Sequence, residues 1–152
     1  MSLTNKGIYR ILGNYFRGES KPTNLYLALV TSAVEPTVDT NTFGELTEIA
    51  AGNGYTAGGY QLNFNSTDWD TWIEDDVNDK AYVALKDLVW TGTGGPIPAS
   101  GNGARYAVLT DDNATPANRE VYGWFDLVTA RQVSDEQTLT LQDCKVEGLQ
   151  AA

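Results

Sequence analysis

The residues of this chain best suited to chemistry are carboxylates. Asp68-Trp69-Asp70, Glu74-Asp75-Asp76 and Asn78-Asp79 fall within twelve residues, with Trp72 between the first two groups. Hard oxygen donors at that density can coordinate Ca²⁺, but the run lacks the central glycine and terminal glutamate of an EF-hand loop. Two carboxylates flanking a sugar would suit glycoside hydrolysis, yet carboxylates adjacent on one loop are weak evidence for such a pair. Trp69 and Trp72 beside these acids have the composition of a glycan-binding surface. Aromatic rings also cover the ends of β domains and subunit contacts, and that is the expectation favoured for both. The segment 68–79 as a whole is expected to be a solvated acidic loop.

Other chemistry finds little support. Histidine is absent, which removes the commonest general base, the Ser-His and Cys-His nucleophile systems and the commonest metal ligand. Cys144 is the only cysteine, so neither an intrachain disulfide nor a thiolate zinc site can form. It is expected to be a buried, inert thiol. The Gly/Pro-rich stretch 92–103 (GTGGPIPASGNG) matches neither the P-loop nor the dinucleotide fingerprint, and no helix follows it to receive a phosphate. The expected protein is therefore not an enzyme and has no cofactor or metal.

The elements that position these residues read as β. Leu25 to Thr31 (LYLALVT) is apolar on both faces, as a central strand is. Residues 60–64 alternate, with Tyr60, Leu62 and Phe64 on one side. Further strands are expected over 81–90, with Val83, Leu85 and Val89 inward, and over 105–110, 120–128 and 137–146. A long connection spans 32–59, with a short helix near 43–51. Fifteen glycines and many Thr and Asn residues supply turns between short strands. At the start, Ile8, Ile11, Leu12, Tyr15 and Phe16 fall at helical spacing and predict a helix over 2–17, capped by Ser2 or Thr4 and ended by Gly18. Its apolar stripe must be buried against its own domain or a neighbour. Lys6, Arg10 and Arg17 lie away from that stripe and are candidates for docking to an acidic partner. The expected fold is mainly β, an antiparallel β-sandwich or jelly roll in one domain over 1–152, with the helix in 1–18 and the sandwich in 25–147.

Charge narrows the partners. The net charge is −10, which opposes binding to nucleic acid and anionic membranes. Residues 1–34 hold four basic residues against one acid, and the remainder holds six against nineteen, so the start is +3 and the body −13. No apolar run is long enough to span a bilayer, and the first residues do not read as a secretory signal.

The succession of segments resembles a family of small virion proteins of tailed bacteriophages. The resemblance lies in the opening SLTNKGIYRILGNYF, the strand NLYLALVTS, and the closing order ARYAVLTDD, REVYGWFDL, QTLTLQDCKVE. It covers most of the chain, while 32–59 and 68–79 depart from the pattern. It implies a jelly-roll-like β domain located in the virion after synthesis in the host cytoplasm. Members are described as head decoration or tail-fibre-associated proteins. The expected function is that of a capsid decoration (cement) protein, a homotrimer that clamps neighbouring subunits of the major capsid protein. The alternative is a tail-fibre or receptor-binding module that holds host glycan through Trp69 and Trp72.

Overall fold

A computed structural model describes residues 1–149. In chain order it contains strand β1 (Ser2–Leu3), helix α1 (Asn5–Phe16), β2 (Asn24–Val30), a 3-10 turn (Phe43–Glu45), β3 (Tyr60–Asn63), β4 (Thr71–Asp75), β5 (Lys80–Ala84), β6 (Leu88–Thr91) and β7 (Ala104–Thr110). A second 3-10 turn (Pro116–Asn118), β8 (Val121–Arg131), β9 (Thr138–Leu141) and β10 (Lys145–Leu149) follow. Every strand pair is antiparallel. The strands form a five-stranded sheet in the order β1-β8-β7-β2-β3, a three-stranded sheet β10-β5-β4 and a two-stranded sheet β6-β9. The described residues are thus mainly β, with antiparallel sheets and one α-helix, consistent with a β-sandwich. A jelly roll is a finer statement than this pairing supports.

The doubly apolar β2 explains the layering. Leu25, Leu27 and Leu29 enter one core with Leu109, Leu85, Leu88, Trp90 and Cys144, while Ala28 and Val30 face Tyr106, Val108, Val121 and Phe43 on the other side. Alternation along the strand sends successive side chains to opposite faces, and the register Leu27↔Leu109 and Ala28↔Val108 keeps β7 in step. The long connection after β2 is tied down through Tyr55, whose hydroxyl accepts from the Leu29 N–H at 2.9 Å and donates to Glu48 at 2.7 Å.

Several expected boundaries shift, for physical reasons. The expected strand over 81–90 is two strands, because between them the Leu85 N–H donates to the Cys144 carbonyl and the Lys86 N–H to the Asp68 carbonyl. These bonds lead the chain from one sheet into another. Leu88 and Trp90 are buried and Val89 is exposed, which reverses the inward face expected for that half. The expected strand over 137–146 breaks likewise at Asp143, which has a φ of +55°, ahead of the buried Cys144. The acidic segment 68–79 is not a loop throughout, since it contains β4, an edge strand paired to β5. Of Tyr60, Leu62 and Phe64, Leu62 alone is buried. The expected short helix near 43–51 is a single 3-10 turn.

The helix begins later than expected, at Asn5, because Ser2 and Leu3 pair with Trp124 and Gly123 of β8. Thr4 is the cap, and its hydroxyl oxygen accepts from the Gly7 N–H at 2.9 Å. Gly18, at φ +69°, makes the left-handed turn that ends the helix. The buried residues of α1 are Gly7 and Gly13. A Cβ on Gly7 would run into the Tyr122 backbone of β8, whereas one on Gly13 would make ordinary contact, 3.6 Å or more, with the Glu19 side chain. Glycine within a helix costs roughly 0.5–1 kcal/mol relative to alanine, so the two positions should respond oppositely. Gly7→Ala is expected to destabilise by about 1–3 kcal/mol through overpacking, and Gly13→Ala to be neutral or to stabilise by up to about 1 kcal/mol. Urea unfolding of the two variants checks this. Equal destabilisation by both would contradict the seating of the helix on Gly7.

Candidate functional site

The seating of α1 produces an unusual surface. Glu120, just ahead of β8, pairs with Lys6 at 3.7 Å and with Arg10 through both carboxylate oxygens, one contact being Arg10 Nη2 to Oε1 at 2.8 Å. Arg10 also reaches Glu19 at 3.7 Å. Hydrogen bonding from Arg10, the largest effect, holds the Glu120 carboxyl below its ordinary value, and the same bond raises Arg10. The glycine and basic side of the helix therefore faces β8. The apolar stripe faces solvent: Ile8, Ile11 and Leu12 are exposed, Tyr15 is 82% exposed and Phe16 76%. Soluble domains seldom expose contiguous apolar surface of this kind, and where they do it marks an interaction site.

Beside this face lies a groove of about 750 Å³ with mostly apolar walls. It is lined by Ile11 and Tyr15 of α1, by Lys21, Pro22 and Phe64, and by Asp70 and Trp72. Three of the lining residues form a row across the three-stranded sheet, where Val146 pairs with Val83 and Val83 with Trp72. The Lys21 ammonium sits 4.9 Å from the Phe64 ring centre. Trp69 Nε1 and Asn14 Oδ1, from two more groove-lining residues, have no hydrogen-bond partner among the described residues. Buried polar atoms are ordinarily paired, so a donor and an acceptor remain unsatisfied at this site.

Each residue singled out in the sequence now has a place. Lys6 and Arg10 are engaged by Glu120 of their own chain, while Arg17 has no carboxylate partner among the described residues. Trp69 and Trp72 line one groove, the first half-buried and the second 86% exposed. The acids of 68–79 disperse. Asp68 is buried, paired to Lys86 at 2.6 Å and bonded by the Asn63 N–H and side-chain amide, whereas Asp75 accepts from the Asn78 amide. Among the described residues no three acidic or other metal-ligating side chains converge on one point. Cys144 is buried, and burial pushes its thiol up to about 12. Phe64, Val83 and Val146 were missed as groove residues. The convergence of Val83 and Val146 with Trp72 depends on the β10-β5-β4 register, which a segment read as a loop does not reveal.

No protein-family model matches the chain, and no curated protein matches it.

Two solution tests follow from these environments. Glu120 and Asp68 are held below their ordinary values of 4.5 and 3.8, chiefly by hydrogen bonds from Arg10 and Lys86. A depressed carboxylate contributes stability that is present above its unfolded value and is lost as pH falls through its folded value. Asp111, raised by burial, acts in the opposite sense. Denaturation midpoints should fall as pH drops below about 4.5, and Glu120→Gln should flatten that dependence. Cys144 should resist an aromatic disulfide reagent at pH 8 in the folded protein and react fully in denaturant.

Proposed function

We propose that this chain is a non-enzymatic structural protein of a bacteriophage virion, a decoration protein that holds neighbouring coat subunits through the outward face of α1. The observation that carries the proposal is the inverted helix. Its polar, glycine-bearing side is spent on β8 and Glu120, and Ile8, Leu12 and Phe16 are presented to whatever lies outside. An apolar ridge on a seated helix suits helix-in-groove recognition, with anchors at i, i+4 and i+8. The resemblance to small phage virion proteins supports the setting. A histidine-free sequence and a buried, raised thiol favour binding over catalysis. Of the three cations considered for docking, Arg17 is the one left without a partner of its own among the described residues, so in this reading attachment rests on the apolar ridge with Arg17 beside it.

A second reading draws on a separate observation. Trp69 and Trp72 share a groove with Asp70 and with unpaired polar atoms, an arrangement suited to a sugar ring stacked on indole. It corresponds to a tail-fibre module that binds host glycan, and a glycan array separates it from the first.

Burying a leucine or phenylalanine side chain contributes roughly 1.5–3 kcal/mol. The variant Leu12→Ser with Phe16→Ser should therefore bind undecorated capsids at least ~10-fold more weakly than the parent. Its circular dichroism should be unchanged, because both residues are exposed. Unchanged capsid affinity would remove the helix face from the attachment.

A further inference from the structure

Strands β8 and β9 follow one another with residues 132–137 between them, yet they do not pair. Consecutive strands joined so closely ordinarily do. β8 is irregular over its second half. Its register on β7 steps from Tyr106↔Asp126 to Ala104↔Arg131, so residues 127–130 stand outside the ladder. Among them Val128 has a φ of +67°, uncommon for a β-branched residue, and its N–H donates to the Asp126 carboxylate at 2.6 Å. A bulge of this kind bends its strand and interrupts pairing. β9 is left bonded to β6 alone.

The groups on the free edge of β9 follow from its register. The Gly92 N–H donates to the Gln137 carbonyl at 2.8 Å, and the same register continues through Trp90↔Leu139 and Leu88↔Leu141. Bonded pairs alternate along an antiparallel ladder. Leu139 and Leu141 therefore bond to β6, and Thr138 and Thr140 turn their N–H and C=O groups away from it. Those outward groups have no partner among the described residues, and both threonines are exposed. A cleft of about 440 Å³ follows this edge, lined by every residue from Thr138 to Gln142 and by Leu127 and Arg131 of β8. Side chains of a strand alternate between its two faces, so an unbroken run of lining residues marks an edge rather than a face. We propose that β9 accepts an additional strand here, an extended arm of a neighbouring coat subunit with uncharged residues at its centre and basic residues at its ends.

Main-chain donors and acceptors at strand spacing call for an extended polypeptide, which joins a sheet edge through backbone hydrogen bonds. Charge selects among polypeptides. Asp135 and Glu136 precede β9 and Asp143 follows it. All three are exposed, and none has a cationic partner among the described residues. Arg131 is the cation among the residues lining the cleft. A second copy of this chain, pairing antiparallel through Thr138 and Thr140, would bring these acids together at both ends of the pair. Like charges opposite one another destabilise such a pairing, whereas an arm with basic ends meets the same acids favourably.

The identity of the donor rests on the reading of this chain as a decoration protein; the open edge does not. Residue-resolved hydrogen exchange of the full chain separates the two. On undecorated capsids the Thr138 and Thr140 amides should exchange at least ~10-fold more slowly than in the free protein, while Leu139 and Leu141, already bonded to β6, change little. Thr140→Pro removes an outward N–H and no bond to β6, so it should fold as the parent does. It should bind capsids at least ~10-fold more weakly. The exchange measurement on the parent stands whether or not that variant folds. A capped peptide of alternating threonine and valine with lysine at both ends should slow the same two amides, and its counterpart with glutamate ends should not. Protein bound to capsids with both amides as fast as in the free state overturns the added strand and leaves the decoration reading standing. Failure to bind capsids overturns the decoration reading and the coat as donor together, and protection by the lysine peptide then shows that the edge still takes a strand. Protection of both amides at raised protein concentration, without capsid or peptide, assigns the edge to a second copy and overturns the proposal.

Discussion

The carboxylate of Glu120 holds Lys6 and Arg10 at the approach to β8, and this attachment decides which side of α1 meets solvent. An amphipathic helix on a globular domain ordinarily turns its apolar stripe to the core. Here a helix with Gly7 against the Tyr122 backbone can approach β8 too closely for a bulky residue to intervene. The charged side supplies both the ion pairs and the close approach. Thr4 reinforces the geometry by capping the helix while its backbone N–H donates to the Tyr122 carbonyl. The exposed stripe and the groove beside Tyr15 both descend from this orientation.

The core beneath is conventional by comparison. β2 and β7 carry apolar side chains on both faces, and each face has its own cover. What varies is the treatment of polar groups at the edges. Arg119 is buried, donates to the Gly58 carbonyl at 2.7 Å and lies 3.8 Å from the Tyr26 ring centre. Glu48 accepts from both Tyr55 and the Gly58 N–H. These contacts make a long connection part of the folded unit without regular secondary structure, as the hydrogen-bonding needs of buried backbone require.

Much of the fold was legible in the residues themselves. LYLALVT and RYAVLT are read correctly because a strand buried on both faces leaves an unbroken apolar run. The helix was legible from its spacing, and its cap as one of two residues, Ser2 or Thr4. The crossings at Leu85 and Cys144 were not, because a change of sheet inside an apolar run leaves the run intact. β4 was hidden for a different reason. Edge strands carry charge on exposed positions, which guards against unwanted pairing and makes them look like loops. The candidate site was half legible: Trp69 and Trp72 were visible as aromatics, but the inward turn of Lys6 and Arg10 depended on Glu120, more than a hundred residues away. Periodicity identifies the two faces of a helix, and only the tertiary partner says which one faces in.

That distance also governs how the molecule comes into being. β1 pairs with Trp124 and Gly123, and α1 rests on the same strand, so this segment has its receptor more than a hundred residues further along the sequence. Contacts of such long sequence separation carry a large loop-closure cost and form slowly. Until β8 has been made the helix segment is without its seat, with its apolar residues available to any passing surface, a state that favours aggregation. The completed domain keeps that same stripe in the open. The net charge of −10 opposes the approach of copies to one another across that stripe.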